Sequence, residues 1–123
     1  VDKTKSVGGW EGIMMSDLEE LKGVIVKLLE TKEGRFEGAD WEADYNLNWD
    51  AEFLGRLEEG RKCIAKALES LEGKDDVGLA VAIIIGRTRF LDLSNFFRDI
   101  YDDLDVLAKH PSWPKIPDDY KCD

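Results

Sequence analysis

The sequence is short of the residues on which most enzyme chemistry rests, with one histidine, two cysteines and three prolines in 123 residues. His110 stands beside Pro111 at an expected helix end, where its ring is read as a partner for the last helical carbonyls. With no second histidine and no nucleophile elbow, no familiar catalytic triad can be assembled. The Glu-x-x-His pairs that hold di-iron centres in helical bundles are excluded as well. GxxxxGK[ST] is missing, and Gly8-Gly9 with the scattered glycines form no phosphate loop. Cys63 and Cys122 fit no CxxC or metal spacing, and the spacing leaves open whether they pair. The sequence therefore assigns no catalytic residue, no cofactor site and no metal site.

Cations are also scarce. Seventeen Lys and Arg stand against 27 Asp and Glu, a formal net charge of −10. Such a chain repels duplex nucleic acid, whose non-specific binding needs a cationic stripe to displace counterions. Anionic membrane surfaces are disfavoured for the same reason. The longest purely apolar run, Leu79–Ile85, is far short of the roughly 20 residues that span a bilayer. A chain starting at Val1 without a signal-like segment is read as processed and non-cytosolic.

What the sequence does have is helical periodicity. Residues 1–15 carry no sustained pattern and are expected to be an extended N-terminal arm. Ser16-Asp17-Leu18-Glu19 has the form of a capping box. Leu18, Leu21, Ile25 and Leu28 follow at helical spacing, so a first helix is expected from Ser16 to about Lys32, stopped near Gly34. A second helix is expected from Asn48–Asp50 to Glu72, with Phe53, Leu57, Ile64, Leu68 and Leu71 inward and Gly73 as the C′ residue. Gly55 and Gly60 either weaken it or admit a close neighbour. The third region repeats Leu79, Ile83, Gly86, Phe90, Leu93, Phe97, Ile100, Leu104 and Leu107 at alternating spacings of four and three. Asp75 or Asp76 can cap its start and Pro111 ends it. A helix of that length is expected to bend or break near Ser94-Asn95. Together these features predict an all-α, up-and-down helical bundle of three or four helices over 16–109, followed by an irregular tail at 110–123.

Between the first two helices, residues 37–52 hold six acids and no Lys or Arg. They are interleaved with Trp41, Tyr45 and Trp49, so this loop is expected to fold back onto the helices. Asp44-Tyr45-Asn46-Leu47-Asn48 opens like a calcium-binding EF-hand loop. The match then fails, because Trp49 stands where the turn needs Gly and Gly55 where the bidentate Glu belongs. Asp102, Asp103 and Asp105 read as solvated charge. Arg87, Arg89 and Arg98 read either as internal partners for carboxylates or as a docking patch. Trp10, Trp41 and Trp113 lie outside the periodic helices and either cover the bundle or anchor a partner.

The stretch Phe96-Phe97-Arg98-Asp99-Ile100-Tyr101-Asp102-Asp103-Leu104-Asp105-Val106-Leu107-Ala108-Lys109, followed by His110-Pro111-Ser112, resembles a helix of the PsbQ-type extrinsic proteins of photosystem II. Within that family the small acidic form of diatoms is the nearest in character. The resemblance implies a PsbQ-like four-helix bundle that acts without catalysis. It also implies a place in the plastid thylakoid lumen, peripheral to the membrane through protein contacts. Its partners would be the photosystem II core and other extrinsic subunits, and its role to help retain calcium and chloride near the oxygen-evolving centre. The proline-rich arm of the plant proteins and an evident fourth helix after Pro111 are missing here. Two other expectations compete: an acidic inhibitor or immunity-type protein that blocks a basic enzyme through residues 37–52, and an enzyme with an acidic metal site.

Overall fold

Asn48 and Asp75 each turn the chain into a helix. The Asn48 Oδ1 accepts the Ala51 amide at 2.9 Å, and the Asp75 Oδ1 accepts the Gly78 amide at 2.9 Å. Both are N-cap bonds that satisfy an amide the helix leaves without a carbonyl. The computed structural model describes the backbone of residues 2–121 and the side chains of residues 17–121. It contains α1 (Asp2–Glu33), a single 3₁₀ turn at Gly38–Asp40, α2 (Trp49–Glu72) and α3 (Asp76–Ala108). The protein is all-α, three helices packed together, with no strand among the described residues.

α3 is the spine. Its 33 residues extend about 50 Å at 1.5 Å per residue. α2 lies antiparallel along its first half, with Gly60 against Phe90 and Gly86 against Cys63. Arg56 bridges to Asp92 at 2.7 Å, and Phe53 packs on Phe97. Along the second half of α3, the described part of α1 and the loop after it form the core. That core is Ile25, Leu29, Ala43, Trp49, Ile100 and Leu107, flanked by Leu18, Leu21, Leu28 and Leu104.

Three boundaries differ from the sequence expectation. Ser94-Asn95 does not interrupt α3, because α2 and the Arg56–Asp92 bridge brace the helix on one side of that point and the core holds it on the other. At the end of α2, the left-handed residue is Lys74 (φ 55°) and not Gly73. The amides of Asp75 and Lys74 reach back to the carbonyls of Ser70 and Leu71 at 2.8 and 3.3 Å, a Schellman turn one residue later than expected. Finally, α1 begins at Asp2, ahead of the start expected at Ser16. The capping role of the Ser16 side chain lies outside the described residues. Gly34 (φ 86°) ends α1 where expected, and residues 110–121 contain neither helix nor strand.

Candidate interaction surface

The two most deeply buried acids are structural. Asp50 is fully buried and accepts the amides of Leu18 and Glu19 at 3.1 and 2.9 Å. Glu19 returns the bond by accepting the Trp49 amide at 2.6 Å. The start of α2 therefore packs against α1 at Leu18–Glu19, where Glu19 accepts the first amide of α2 and Asp50 accepts two amides of α1. Burial opposes the charge on Glu19, but the Trp49 amide and the Lys22 ammonium hold its carboxyl below the usual range.

Asp103, read from the sequence as solvated charge, is 1% exposed. It accepts the Glu42 and Ala43 amides and the Tyr45 hydroxyl at 2.8, 3.0 and 2.8 Å. Burial and the Asp103 charge push the Tyr45 hydroxyl well above its ordinary pKa. The acidic loop is thus fastened to α3 by a carboxylate and to the core by the aromatic run Phe36–Tyr45–Trp49. The EF-like residues serve turns. Asp44 accepts the Asn46 amide and Asn48 caps α2. Among the described residues, no three His, Cys, Asp or Glu side chains come together to hold a metal.

The remaining candidates separate by position. Trp41 is half-buried against the core. Trp113 donates from Nε1 to the Leu107 carbonyl at 2.7 Å and lies under the Lys32 ammonium, 3.6 Å from the ring centre. The Leu107 carbonyl in the last turn of α3 is therefore shared by the Trp113 ring and the His110 amide. The His110 ring instead pairs through Nε2 with Glu33 at 2.9 Å, while its Nδ1 accepts the Ser112 amide. Trp10 lies outside the described side chains. Arg87, Arg89 and Arg98 are exposed, and among the described residues none forms an ion pair. Their internal-partner reading reduces to the charge of Arg89 acting on Glu59.

The sequence analysis missed the surface these arginines border. Among the described residues, ten of the 17 exposed large hydrophobics fall between Leu57 and Leu91, the far half of the α2–α3 hairpin. This hairpin end has six Lys and Arg and six Asp and Glu. Its net charge is zero, so the remainder of the molecule carries the whole net charge of −10.

Its apolar residues form two faces. One is an open groove of about 380 Å³ between the helices, lined by Ile64, Leu68, Leu71, Leu79, Ile83 and Phe90 and bordered by Arg87. The other is a stripe on α3 turned away from α2. There Val77, Ile84 and Leu91 stand seven residues apart with Val81 beside them, at 76%, 55%, 58% and 47% exposure. Arg98 occupies the next heptad position. The signal was present in the sequence, because Leu79–Ile85 is apolar all round the helix and one α2 neighbour can cover only one side.

No helix among the described residues is long and apolar enough to cross a membrane. Comparison with protein families, curated proteins and solved structures gives no match for this chain.

Proposed function

We propose that this protein is a non-catalytic extrinsic subunit of photosystem II, docked on the lumenal side of the plastid thylakoid membrane through protein contacts. It binds the photosystem core and neighbouring extrinsic subunits, and there helps retain calcium and chloride around the oxygen-evolving centre. One observation carries the docking role: the outward stripe Val77–Val81–Ile84–Leu91, an apolar face with no partner among the described residues, on the net-neutral end of an acidic molecule. Exposed apolar surface of this kind marks an interaction site, and net-neutral surroundings spare it the repulsion that the acidic body meets. Arg98, at the end of the stripe, supplies a cation that the acidic body does not consume. The resemblance of Phe96–Lys109 to a PsbQ-type helix supports the choice of partner.

The test is rebinding to photosystem II particles stripped of their extrinsic proteins, with oxygen evolution followed at low calcium and chloride. Saturable binding with recovered activity supports the proposal. Absence of binding to both diatom and plant particles removes it, and the acidic-inhibitor reading then comes first. That reading draws its support from the carboxylates gathered around Trp41, the exposed Asp40 and Glu42 and the partly buried Asp102 and Asp105.

A further inference from the structure

The groove between α2 and α3 is separate from the outward stripe, and its rim charges identify a different occupant. On α2 the groove side chains Ile64, Leu68 and Leu71 are bordered, on the same helical face, by Arg61 and Glu72. On α3, Leu79, Ile83 and Phe90 are bordered by Arg87 and Asp76. The only ion pair that any of the four rim charges makes among the described residues is Arg61 with Glu58, exposed and at 3.9 Å. Such a pair is worth little.

The spacing of these charges is self-complementary. Arg61 and Glu72 are equidistant from a point between Lys66 and Ala67. Arg87 and Asp76 are equidistant from a point between Val81 and Ala82. The contacts of Gly86 with Cys63 and of Gly78 with Ser70 place those two points opposite each other to within about one residue. A single two-fold axis through them, across the hairpin, lays a second hairpin antiparallel on the first. Arg61 of each copy then faces Glu72 of the other, and Arg87 faces Asp76.

We propose that the groove is covered by a second copy of this chain, two hairpins forming a four-helix bundle with isologous symmetry. Five groove side chains, Ile64, Leu68, Leu71, Ile83 and Phe90, are 41–61% exposed. At roughly 100 Å² each they offer about 1,000 Å² for the pair, the scale of a specific interface. Charge selects this end, because its charges balance to zero, whereas the acidic bodies lie at opposite ends of the dimer and repel any other approach. The outward stripes stay uncovered, so this inference stands apart from the photosystem proposal.

Sedimentation equilibrium from about 1 to 100 µM, with reductant present to remove any disulfide, tests it. The wild type is expected to approach twice the chain mass. The exposed-rim variants R61E/R87E and E72R/D76R, checked for native helix content, are each expected to weaken self-association at least tenfold. An equimolar mixture of the two is expected to recover it, since every rim pair is then restored between unlike chains. A wild-type monomer throughout the range, as when another partner or residues 1–16 of the same chain cover the groove, overturns the proposal. So does a dimer that neither variant weakens, or one that the mixture does not restore.

Discussion

Asp50 and Glu19 exchange side-chain-to-backbone hydrogen bonds between α2 and α1 across 31 positions of sequence. Asp50 takes the amides of Leu18 and Glu19, and Glu19 takes the amide of Trp49. Glu19 meets the positive first turn of α2 and supplies an acceptor and a countercharge there, while Asp50 ties that turn to α1. Asp50→Ala leaves two amides without their acceptor beside the core and is expected to cost about 2–3 kcal/mol. Asn48→Ala, which removes an exposed local cap, is expected to cost about 1 kcal/mol. Urea unfolding of the two variants checks the order, and equal losses would contradict the role given to the buried Asp50 bonds.

The same arrangement sets an acid dependence. The folded carboxyl of Glu19 lies below its ordinary 4.5, so its stabilisation is complete above that value and is lost as pH falls through the folded pKa. The stability difference between wild type and Glu19→Gln is therefore expected to be largest near pH 7 and to shrink toward pH 3. A difference independent of pH would mean that Glu19 acts through packing alone.

Tyr45 gives the opposite, alkaline signature. Its hydroxyl donates to buried Asp103 at 2.8 Å, and burial with the Asp103 charge raises its pKa. A folded pKa above the unfolded value of about 10 contributes stability below that pH, lost as pH rises beyond it. Wild type is expected to lose stability relative to Tyr45→Phe between pH 9 and 11, as measured by thermal melts. Parallel curves would exclude the coupling.

Two surface positions are open to stabilisation. Lys74 has a left-handed φ of 55°, which glycine adopts without the steric cost a side chain meets. Gly55 is exposed in the middle of α2, with nothing within 4 Å of where a Cβ would be. Lys74→Gly and Gly55→Ala are each expected to add about 0.5–1 kcal/mol, read as a rise in the urea midpoint. Gly60→Ala lacks that freedom, since its Cβ would meet the Phe90 ring at 2.9 Å.

The aromatic loop residues are expected to part company under truncation. Trp49 is 1% exposed and donates to the Asp44 carbonyl at 3.0 Å. Its replacement by Ala is expected to cost about 3–5 kcal/mol. Trp41, only half-buried, is expected to lose clearly less. Thermal melts of both variants without loss would contradict the packed-loop description.

The legible and illegible parts of this molecule divide by sequence distance. α2 and α3 are readable because their seams repeat locally and their caps, Asn48 and Asp75, lie within three residues of the amides they hold. The inward folding of the 37–52 loop is readable from its aromatics. The Asp50, Glu19 and Asp103 bonds are not, since each joins chain segments at least 30 positions apart. An Asp that fastens a distant loop has the same local pattern as one in solvent. Ser94-Asn95 has the composition of a break, but tertiary bracing overrides it. For the candidate surface, Arg87 and Arg98 were readable as unusual cations. The apolar stripe and groove were absorbed into an expected core, because periodicity does not reveal how many neighbours a helix has.

The docking account is tested most directly by titrating wild type and the variant Val81→Glu/Ile84→Glu onto stripped photosystem II particles. Both positions face away from α2 and are about half exposed, so the variant is expected to keep its thermal stability. The account predicts saturable binding of the wild type and at least a tenfold loss of affinity in the variant. Equal binding of the two, or no binding of either, would contradict it.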